Sequence, residues 1–177
     1  MSKKLYVAID MQKDFIDGAL GSKEAVAIVP NVVKLLTQAR EEGSKIWFTR
    51  DTHREDYLDT REGKHLPVTH CVEGTAGWNI DNMLAKYGER FFDKPTFGSV
   101  ELQKAIQEIL PDIDEIIFFG LCTDICVISN VILAKAVAYE KEITVYEDCC
   151  AGVTPESHQK AIDIMRDSLQ INIKTLS

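Results

Sequence analysis

Short runs of apolar, β-branched residues alternate along this chain with segments whose apolar residues recur every three or four positions. The runs predict strands and the segments predict helices. The predicted strands are approximately residues 5–9, 45–49, 90–93, 115–119, 143–146 and 172–174. The predicted helices are approximately residues 26–42, 77–86, 100–110, 124–139 and 155–167. This alternation is typical of βαβ units, so the pattern predicts an α/β fold with a parallel sheet.

No repeat, low-complexity tract or linker divides the sequence, and we expect a single domain over residues 1–177. The chain is 45% hydrophobic and 27% charged, as in ordinary globular proteins. Its net charge of −8 makes nucleic acids and anionic membrane surfaces poor partners. No apolar stretch is long enough for a membrane span, and MSKKLYVAID has no signal-peptide core, so we expect a cytoplasmic protein. We also expect a homo-oligomer that acts on a small molecule.

Polar residues follow the predicted strands where the carboxyl ends of parallel strands form ligand sites. The first strand is followed by Asp10, the second by Asp51 and His53, and the third by Lys94. The fourth and fifth are followed by Cys122, Thr123, Asp124 and Cys126, and by Glu147, Asp148, Cys149 and Cys150. Acids, a lysine, a thiol and a histidine that converge on one edge indicate a catalytic site.

Five cysteines, an odd number, indicate free thiols and not a disulfide framework. If Thr123 or Asp124 caps the helix after the fourth strand, Cys126 lies in its first turn, where the backbone dipole favours a thiolate. Cys126 is therefore the candidate nucleophile. The other thiols are interpreted as packing residues, Cys71 in a loop and Cys122, Cys149 and Cys150 near the core.

The segment of residues 51–76 has no clear periodicity and carries three of the four histidines. Asp51 and His53 are two positions apart on an extended exit from a strand, so their side chains can point to the same side. His70 can close a metal site, with Glu62 or Asp56 as a fourth ligand. Carboxylates and imidazoles without thiolates suit Zn, Fe or Mn. The alternative is that these residues only order a long loop.

A dinucleotide-binding function is excluded early, because DMQKDF follows the first strand where G-x-G-x-x-G would be needed. Four motifs instead resemble, in order, those of the isochorismatase-like cysteine hydrolases, most closely the metal-containing nicotinamidases. They are AIDMQKDF, RDTH with LPVTHCVEGTAGW, FDKPTFGS and GLCTDICV. The resemblance covers essentially the whole chain.

The resemblance implies a three-layer α/β/α fold with a six-stranded parallel sheet in the order 3-2-1-4-5-6. It implies a catalytic set of Asp10, Lys94 and Cys126. It also implies a cis peptide before Cys122, so that the N–H groups of Cys122 and Cys126 form an oxyanion hole.

The metal ligands of the nicotinamidases match Asp51, His53 and His70, and Glu62 stands where some members place a carboxylate. The cofactor implied is one divalent transition metal, zinc or else Fe or Mn. Phe15 matches an aromatic pocket wall. The sequence departs from the family at Leu66 and Pro67, where nicotinamidases often have an aromatic residue.

The implied reaction is deamidation of nicotinamide to nicotinate and ammonia through a thioester, a step of NAD salvage. One alternative is another small amide or carbamoyl substrate. A vinyl ether, as in isochorismatase, is disfavoured because that enzyme lacks the catalytic cysteine that Cys126 matches. A non-catalytic ligand-binding module of the same fold would predict a broken catalytic set, whereas Asp10, Lys94 and Cys126 are all present.

Overall fold

Six strands form one parallel sheet in a computed structural model that describes residues 3–176. The strands are β1 (Lys4–Ile9), β2 (Lys45–Asp51), β3 (Arg90–Lys94), β4 (Glu115–Leu121), β5 (Glu142–Ala151) and β6 (Asn172–Lys174). Their order is β3-β2-β1-β4-β5-β6, and every neighbouring pair is parallel. The predicted α/β class and the strand order implied by the resemblance are confirmed.

Within residues 3–176, six α-helices connect and flank these strands. They are α1 (Lys13–Ile16), α2 (Lys23–Glu41), α3 (Arg61–His65), α4 (Val100–Ile109), α5 (Ile128–Val137) and α6 (Pro155–Asp167). Three short 3₁₀ turns cover Tyr57–Asp59, Ala85–Tyr87 and Leu110–Asp112, and a π-helical turn covers Thr123–Val127. Among the described residues, no helix is long and apolar enough to cross a membrane.

The direction of the crossovers divides the helices between the two faces of the sheet. The β1-to-β2 connection runs one way along the sheet, whereas the connections from β3 onward run the other way. Right-handed crossovers then place α2 on one face and α4, α5 and α6 on the opposite face. Both faces of the central strands are covered, which explains why residues 5–9 of β1 are wholly buried.

Gly120 allows β1 and β4 to approach closely at their carboxyl ends. Its φ of +124° is in the region that favours glycine, and a Cβ there would collide with the carbonyl oxygen of Ile9. This approach places Asp10, the residue after β1, beside the turn that follows β4.

The predicted helix over residues 77–86 is wrong, because tertiary hydrogen bonds hold that segment in turns. Ile80 forms an isolated antiparallel bridge with Gln12, and the Trp78 indole donates to the Thr52 hydroxyl at 2.9 Å. Asp81 accepts the Met83 N–H at 2.8 Å. Only Ala85–Tyr87 is helical, as a 3₁₀ turn.

Two other predicted boundaries also change. The helix expected over residues 124–139 is a π-helical turn over Thr123–Val127 followed by α5, which ends at Val137. Strand β5 continues to Ala151 through an irregularity opposite Phe118 and Gly120, so Glu147–Cys150 lie within the strand and not after it.

Candidate active site

The ends of three adjacent strands bring an acid, a second acid and a lysine together. Asp10 follows β1, while Asp51 and Lys94 are the last residues of β2 and β3 and are paired in the sheet register. All three are at most 3% exposed. Charged groups buried this deeply must be paired with each other, which is a strong constraint on the geometry.

Lys94 is the centre of this group. Its Nζ lies 2.7 Å from Asp10 Oδ2 and 3.7 Å from Asp51 Oδ1, and it donates to Cys126 Sγ at 3.5 Å. It also donates to the Thr96 carbonyl at 3.0 Å. We call Asp10, Lys94 and Cys126 the acid–lysine–thiol cluster. The structure brings together the three residues that the sequence nominated for catalysis.

The Thr49 hydroxyl fixes the other oxygen of Asp10. It donates to Asp10 Oδ1 at 2.7 Å and accepts the Asp10 N–H at 3.1 Å. Asp10 itself has a φ of +48°, which is uncommon for a residue other than glycine. The carboxylate is therefore held by one neighbour on each oxygen, Thr49 on Oδ1 and Lys94 on Oδ2.

Burial determines the protonation state of the thiol. It raises the pKa of Cys126 well above its usual value, and the negative charge of Asp10 raises it further, while Lys94 opposes both. Burial also raises the pKa of Asp10 against the opposing effect of Lys94. At Lys94 burial acts to lower the pKa, but the charges of Asp10 and Asp51 raise it overall, so Lys94 is an ammonium ion.

The predicted helix cap on Thr123 or Asp124, before Cys126, is wrong. Cys126 lies in the π-helical turn before α5, and neither Thr123 nor Asp124 caps a helix. The Thr123 hydroxyl pairs with His158 Nδ1 at 2.7 Å, and Asp124 Oδ1 accepts the Val153 N–H at 3.0 Å. Both side chains attach the turn to residues of other elements. Burial raises the pKa of the Cys126 thiol by more than the backbone of the turn could lower it.

A second group, the metal cluster, consists of Asp51, His53, Glu62 and His70. One possible ligand atom from each lies within 4.8 Å of all the others. His53 Nε2 is 2.9 Å from Asp51 Oδ2 and 3.7 Å from Glu62 Oε1. His70 Nε2 is 3.3 Å and 3.8 Å from the same two atoms. Ligands in a tetrahedral zinc site lie roughly 3.3 to 3.6 Å from each other, so this donor set fits a divalent ion.

Surrounding groups orient these ligands. The Nδ1 of His70 lies 2.7 Å from the Val68 carbonyl; a proton there leaves Nε2 free to bind an ion. Gln12 accepts the Asp51 N–H and donates to the Asp51 carbonyl, both at 2.8 Å. Burial acts to raise the pKa of Asp51, but its interactions with His53, His70 and Lys94 outweigh burial and lower that pKa, so the carboxylate is ionised.

The structure also separates the two candidates for the fourth ligand. Glu62 lies in the first turn of α3, and its carboxylate faces the histidines. Thr60 caps this helix by accepting the Gly63 N–H at 3.0 Å. Asp56 is exposed and is outside the cluster. Of the three loop histidines, His65 is exposed and also outside it.

A cavity of about 430 Å³ connects the two clusters. Its lining includes Cys126 and Cys122 together with three residues of the metal cluster, Asp51, Glu62 and His70. The sequence-predicted substrate contacts, Phe15 and Leu66, also line it. The peptide between Leu121 and Cys122 is cis, as the family resemblance implied.

Several residues that form the site were not predicted from the sequence. Phe97 lines the same cavity and is 43% exposed. The cavity lining therefore contains a second aromatic residue besides Phe15, although position 66 is aliphatic. Tyr57 packs its ring against His53 and His70 and donates to the Leu66 carbonyl at 2.9 Å. An available signal for Phe97 was its position three residues after Lys94; Thr49 and Gln12 gave none, because uncharged polar residues are common near strand ends.

The other thiols lie as packing residues. Cys71, Cys149 and Cys150 are buried, and burial raises the pKa of each. Cys71 occupies a left-handed conformation in the loop and donates its N–H to Asp14 at 2.8 Å. Cys122 is half-buried on the cavity wall.

This architecture, a parallel sheet in the order 3-2-1-4-5-6 with a buried acid, lysine and thiol at its carboxyl edge, defines the isochorismatase-like class. The model of the isochorismatase domain family matches residues 4–175. The chain belongs to this family.

Individual relatives agree with that membership. The chain is 29% identical over 181 residues to a probable inactive nicotinamidase of Arabidopsis thaliana, covering 96% of this chain and 89% of that protein. It is similar to a solved pyrazinamidase/nicotinamidase from Streptococcus mutans UA159, with 28% identity, a TM-score of 0.85 and coverage of 97% and 99%. It is also similar to the pyrazinamidase of Pyrococcus horikoshii in complex with zinc, with 26% identity, a TM-score of 0.83 and coverage of 98% and 99%. By their names the two solved relatives are amidases and the Arabidopsis relative is a probable inactive one. The prediction of a hydrolase that acts on amide C–N bonds is confirmed.

Proposed function

We propose that this protein deamidates nicotinamide to nicotinate and ammonia, with Cys126 as the nucleophile. One observation carries the proposal: Cys126, which Lys94 contacts together with Asp10, lines the same cavity as three ligands of the metal cluster. A rigid ring that bears an amide on one side and a nitrogen on the other can meet both the thiol and the metal cluster at once.

The chemistry begins with proton transfer from Cys126 to Asp10. A thiol whose pKa is raised by burial needs a base, and the buried carboxylate of Asp10, held by Thr49 and Lys94, is that base. The thiolate attacks the amide carbonyl, and the N–H groups of Cys122 and Cys126 stabilise the oxyanion. In comparable sites one such donor is worth about 3 to 4 kcal/mol.

Asp10 then returns the proton to the departing ammonia, and a thioester on Cys126 remains. Water attacks that thioester, Asp10 accepts the proton of the water, and the acid is released as the thiol reforms. Lys94 stays charged throughout and compensates the negative charge that moves between Asp10 and Cys126.

The chain's own residues fit a single divalent ion held by Asp51, His53, Glu62 and His70. When bound, that ion supplies a Lewis-acidic attachment point for the ring nitrogen. We propose zinc, with Fe or Mn as the alternatives that the same donors accept. The zinc in the Pyrococcus horikoshii pyrazinamidase supports this choice.

The cavity walls support a small aromatic substrate. Phe15 is 8% exposed and packs edge-on against the His70 ring at a centroid distance of 5.5 Å. Phe97 and Leu66 also belong to the apolar lining, with Leu121, Ile125 and Val153 among the others. The volume of about 430 Å³ is at the small end of the usual range of ligand pockets and suits a single ring.

A panel of small amides, assayed for ammonia release, tests the proposal. We expect nicotinamide and pyrazinamide to be hydrolysed, and benzamide to have a kcat/KM at least about tenfold lower because it lacks the ring nitrogen. Equal values for nicotinamide and benzamide would refute the contact between the ring and the metal cluster.

Leu66 favours a second candidate, another small amide or carbamoyl compound, because it leaves one wall of the cavity aliphatic. Hydrolysis of only aliphatic members of the panel would establish that candidate. Absence of any turnover would favour a non-catalytic role, as the name of the Arabidopsis relative suggests for that protein.

A further inference from the structure

Asn130 lies one helical turn after Cys126, on the inner side of α5, and is completely buried. Its side chain makes three hydrogen bonds, all to backbone groups. Nδ2 donates to the Cys126 carbonyl at 2.8 Å and to the Phe97 carbonyl at 3.0 Å. Oδ1 accepts the Ser99 N–H at 2.9 Å.

These three bonds join two separate parts of the active site. Cys126 is the proposed nucleophile, and Phe97 is an aromatic residue of the cavity wall. Phe97 lies in the segment of residues 95–99, which begins next to Lys94 and ends at Ser99, the N-cap of α4. The backbone of this segment is therefore held at Thr96 by Lys94 and at Phe97 and Ser99 by Asn130.

A buried amide in this place is informative because it is costly without its partners. Gln103, a second buried amide on α4, shows the contrast: neither its Nε2 nor its Oε1 finds a hydrogen-bond partner among residues 3–176. Asn130 is thus bonded at the active site, whereas Gln103 is bonded to nothing among the described residues.

We propose that Asn130 is a positioning residue that fixes the position of Phe97, and so of that part of the cavity wall, relative to the Cys126 nucleophile. The proposal rests on the proposed function for the roles of these two residues. It assigns to Asn130 no contact with substrate, only control of the distance between the group that reacts and the surface that holds the ring.

Two substitutions separate the two links. In a helix a threonine hydroxyl can donate to the carbonyl four residues earlier, which here is that of Cys126. Asn130→Thr should therefore keep the link to the nucleophile and lose the links to Phe97 and Ser99. Asn130→Leu keeps the branch point and the number of heavy atoms and loses all three links, while Gln103→Leu is the matched control for replacing a buried amide.

Hydrogen exchange measured by mass spectrometry tests the links without any substrate. We expect the amides of residues 96–99 to exchange about tenfold faster in both Asn130 variants. The amides of residues 122–130 should exchange faster only in Asn130→Leu. Gln103→Leu should leave both segments unchanged.

Kinetics test the functional consequence on the best amide of the panel. We expect Asn130→Thr to raise KM about threefold to tenfold with little change in kcat, and Asn130→Leu also to lower kcat by about tenfold or more. Wild-type exchange and kinetics in folded Asn130→Leu would overturn the proposal. The same loss of kcat in both Asn130 variants would overturn the separation of wall and nucleophile. If the wild-type protein hydrolyses no amide, the proposed function fails, and the exchange experiment still decides whether Asn130 links the two segments.

Discussion

The residues of the two clusters lie on different kinds of structural element. In the acid–lysine–thiol cluster, Asp10 and Lys94 stand at strand ends and Cys126 in the turn directly after a strand, all at most 5% exposed. In the metal cluster only Asp51 belongs to the sheet. The other three ligands, His53, Glu62 and His70, lie in the long connection between β2 and β3.

We therefore expect the two clusters to be ordered by different interactions, the first by packing of the sheet and the second by a bound cation. The positions of Asp10 and Lys94 follow from the sheet, so they form as soon as the core packs. The three loop ligands, together with Asp51, place two carboxylates and two imidazoles around one point, which is favourable when a cation occupies it. We therefore expect the first cluster to be intact without metal and the second to depend on it.

The largest expected effect is on the nucleophile. Cys126→Ala should lower kcat by at least about 10⁴-fold while the fold survives, since it removes one sulfur atom from a cavity wall. Circular dichroism and ammonia release on the same sample check this. Cys149→Ala, at a buried thiol of β5, is the matched control, and an equal loss of activity there in folded protein would contradict the assignment.

The next largest effect concerns the buried ion pair. Lys94→Met leaves the carboxylate of Asp10 buried without its partner, so we expect a loss of about 3 to 5 kcal/mol in the free energy of unfolding, with no activity. Denaturant titration measures it. Adding Asp10→Asn should restore most of the stability and none of the activity. A single Lys94→Met variant as stable as wild type would contradict the coupling.

The contrast between the clusters also explains how far the sequence could be interpreted. Asp10, Lys94 and Cys126 could be nominated because parallel strands deliver their last residues to a common edge, whatever the details of the loops. The same rule found Asp51. His53 and His70 needed an additional assumption about the loop, and Glu62 could not be separated from Asp56 by spacing alone.

Other features depended on tertiary contacts that leave no local pattern. Residues 77–86 have helical periodicity, but the bridge between Gln12 and Ile80 and the bond from Trp78 to Thr52 prevent a helix. The π-helical turn around Cys126 likewise has no sequence signature, because a helix cap on Thr123 or Asp124 was equally consistent with the residues. Its hydrogen bonds to His158 and Val153 come from elements about 30 residues away.

Removal of the metal tests the second cluster directly. Protein purified without chelator should carry close to one divalent ion per chain, and His53→Ala or His70→Ala should lose it. In the metal-free protein we expect proteolysis within residues 52–76 to be about tenfold faster, while the sheet remains folded. Full metal content in both histidine variants would show that the loop is ordered by hydrogen bonds alone.

The smallest effect concerns a titratable residue that fastens the nucleophile turn. His158, on α6, pairs with the buried Thr123 hydroxyl at 2.7 Å. Burial lowers the pKa of His158, while Glu147 on β5 and Asp124 in the turn oppose that shift. The unfolded chain, with a histidine pKa near about 6.5, therefore binds a proton more readily than the folded one. Stability should fall as the pH falls below about 6.5 and the unfolded state takes up the proton.

His158→Gln removes this titration while leaving a polar group that can still bond to Thr123. We expect the difference in free energy of unfolding between pH 8 and pH 5.5 to be smaller in the variant than in the wild type. Both proteins are measured in chelator, so that contributions from the metal cluster are the same in each and cancel in the comparison. Equal differences in the two proteins would show that His158 is protonated as easily in the folded chain as in the unfolded one. The turn that carries Cys126 would then be attached to α6 by packing, and its attachment would be as insensitive to pH as that of the strand ends.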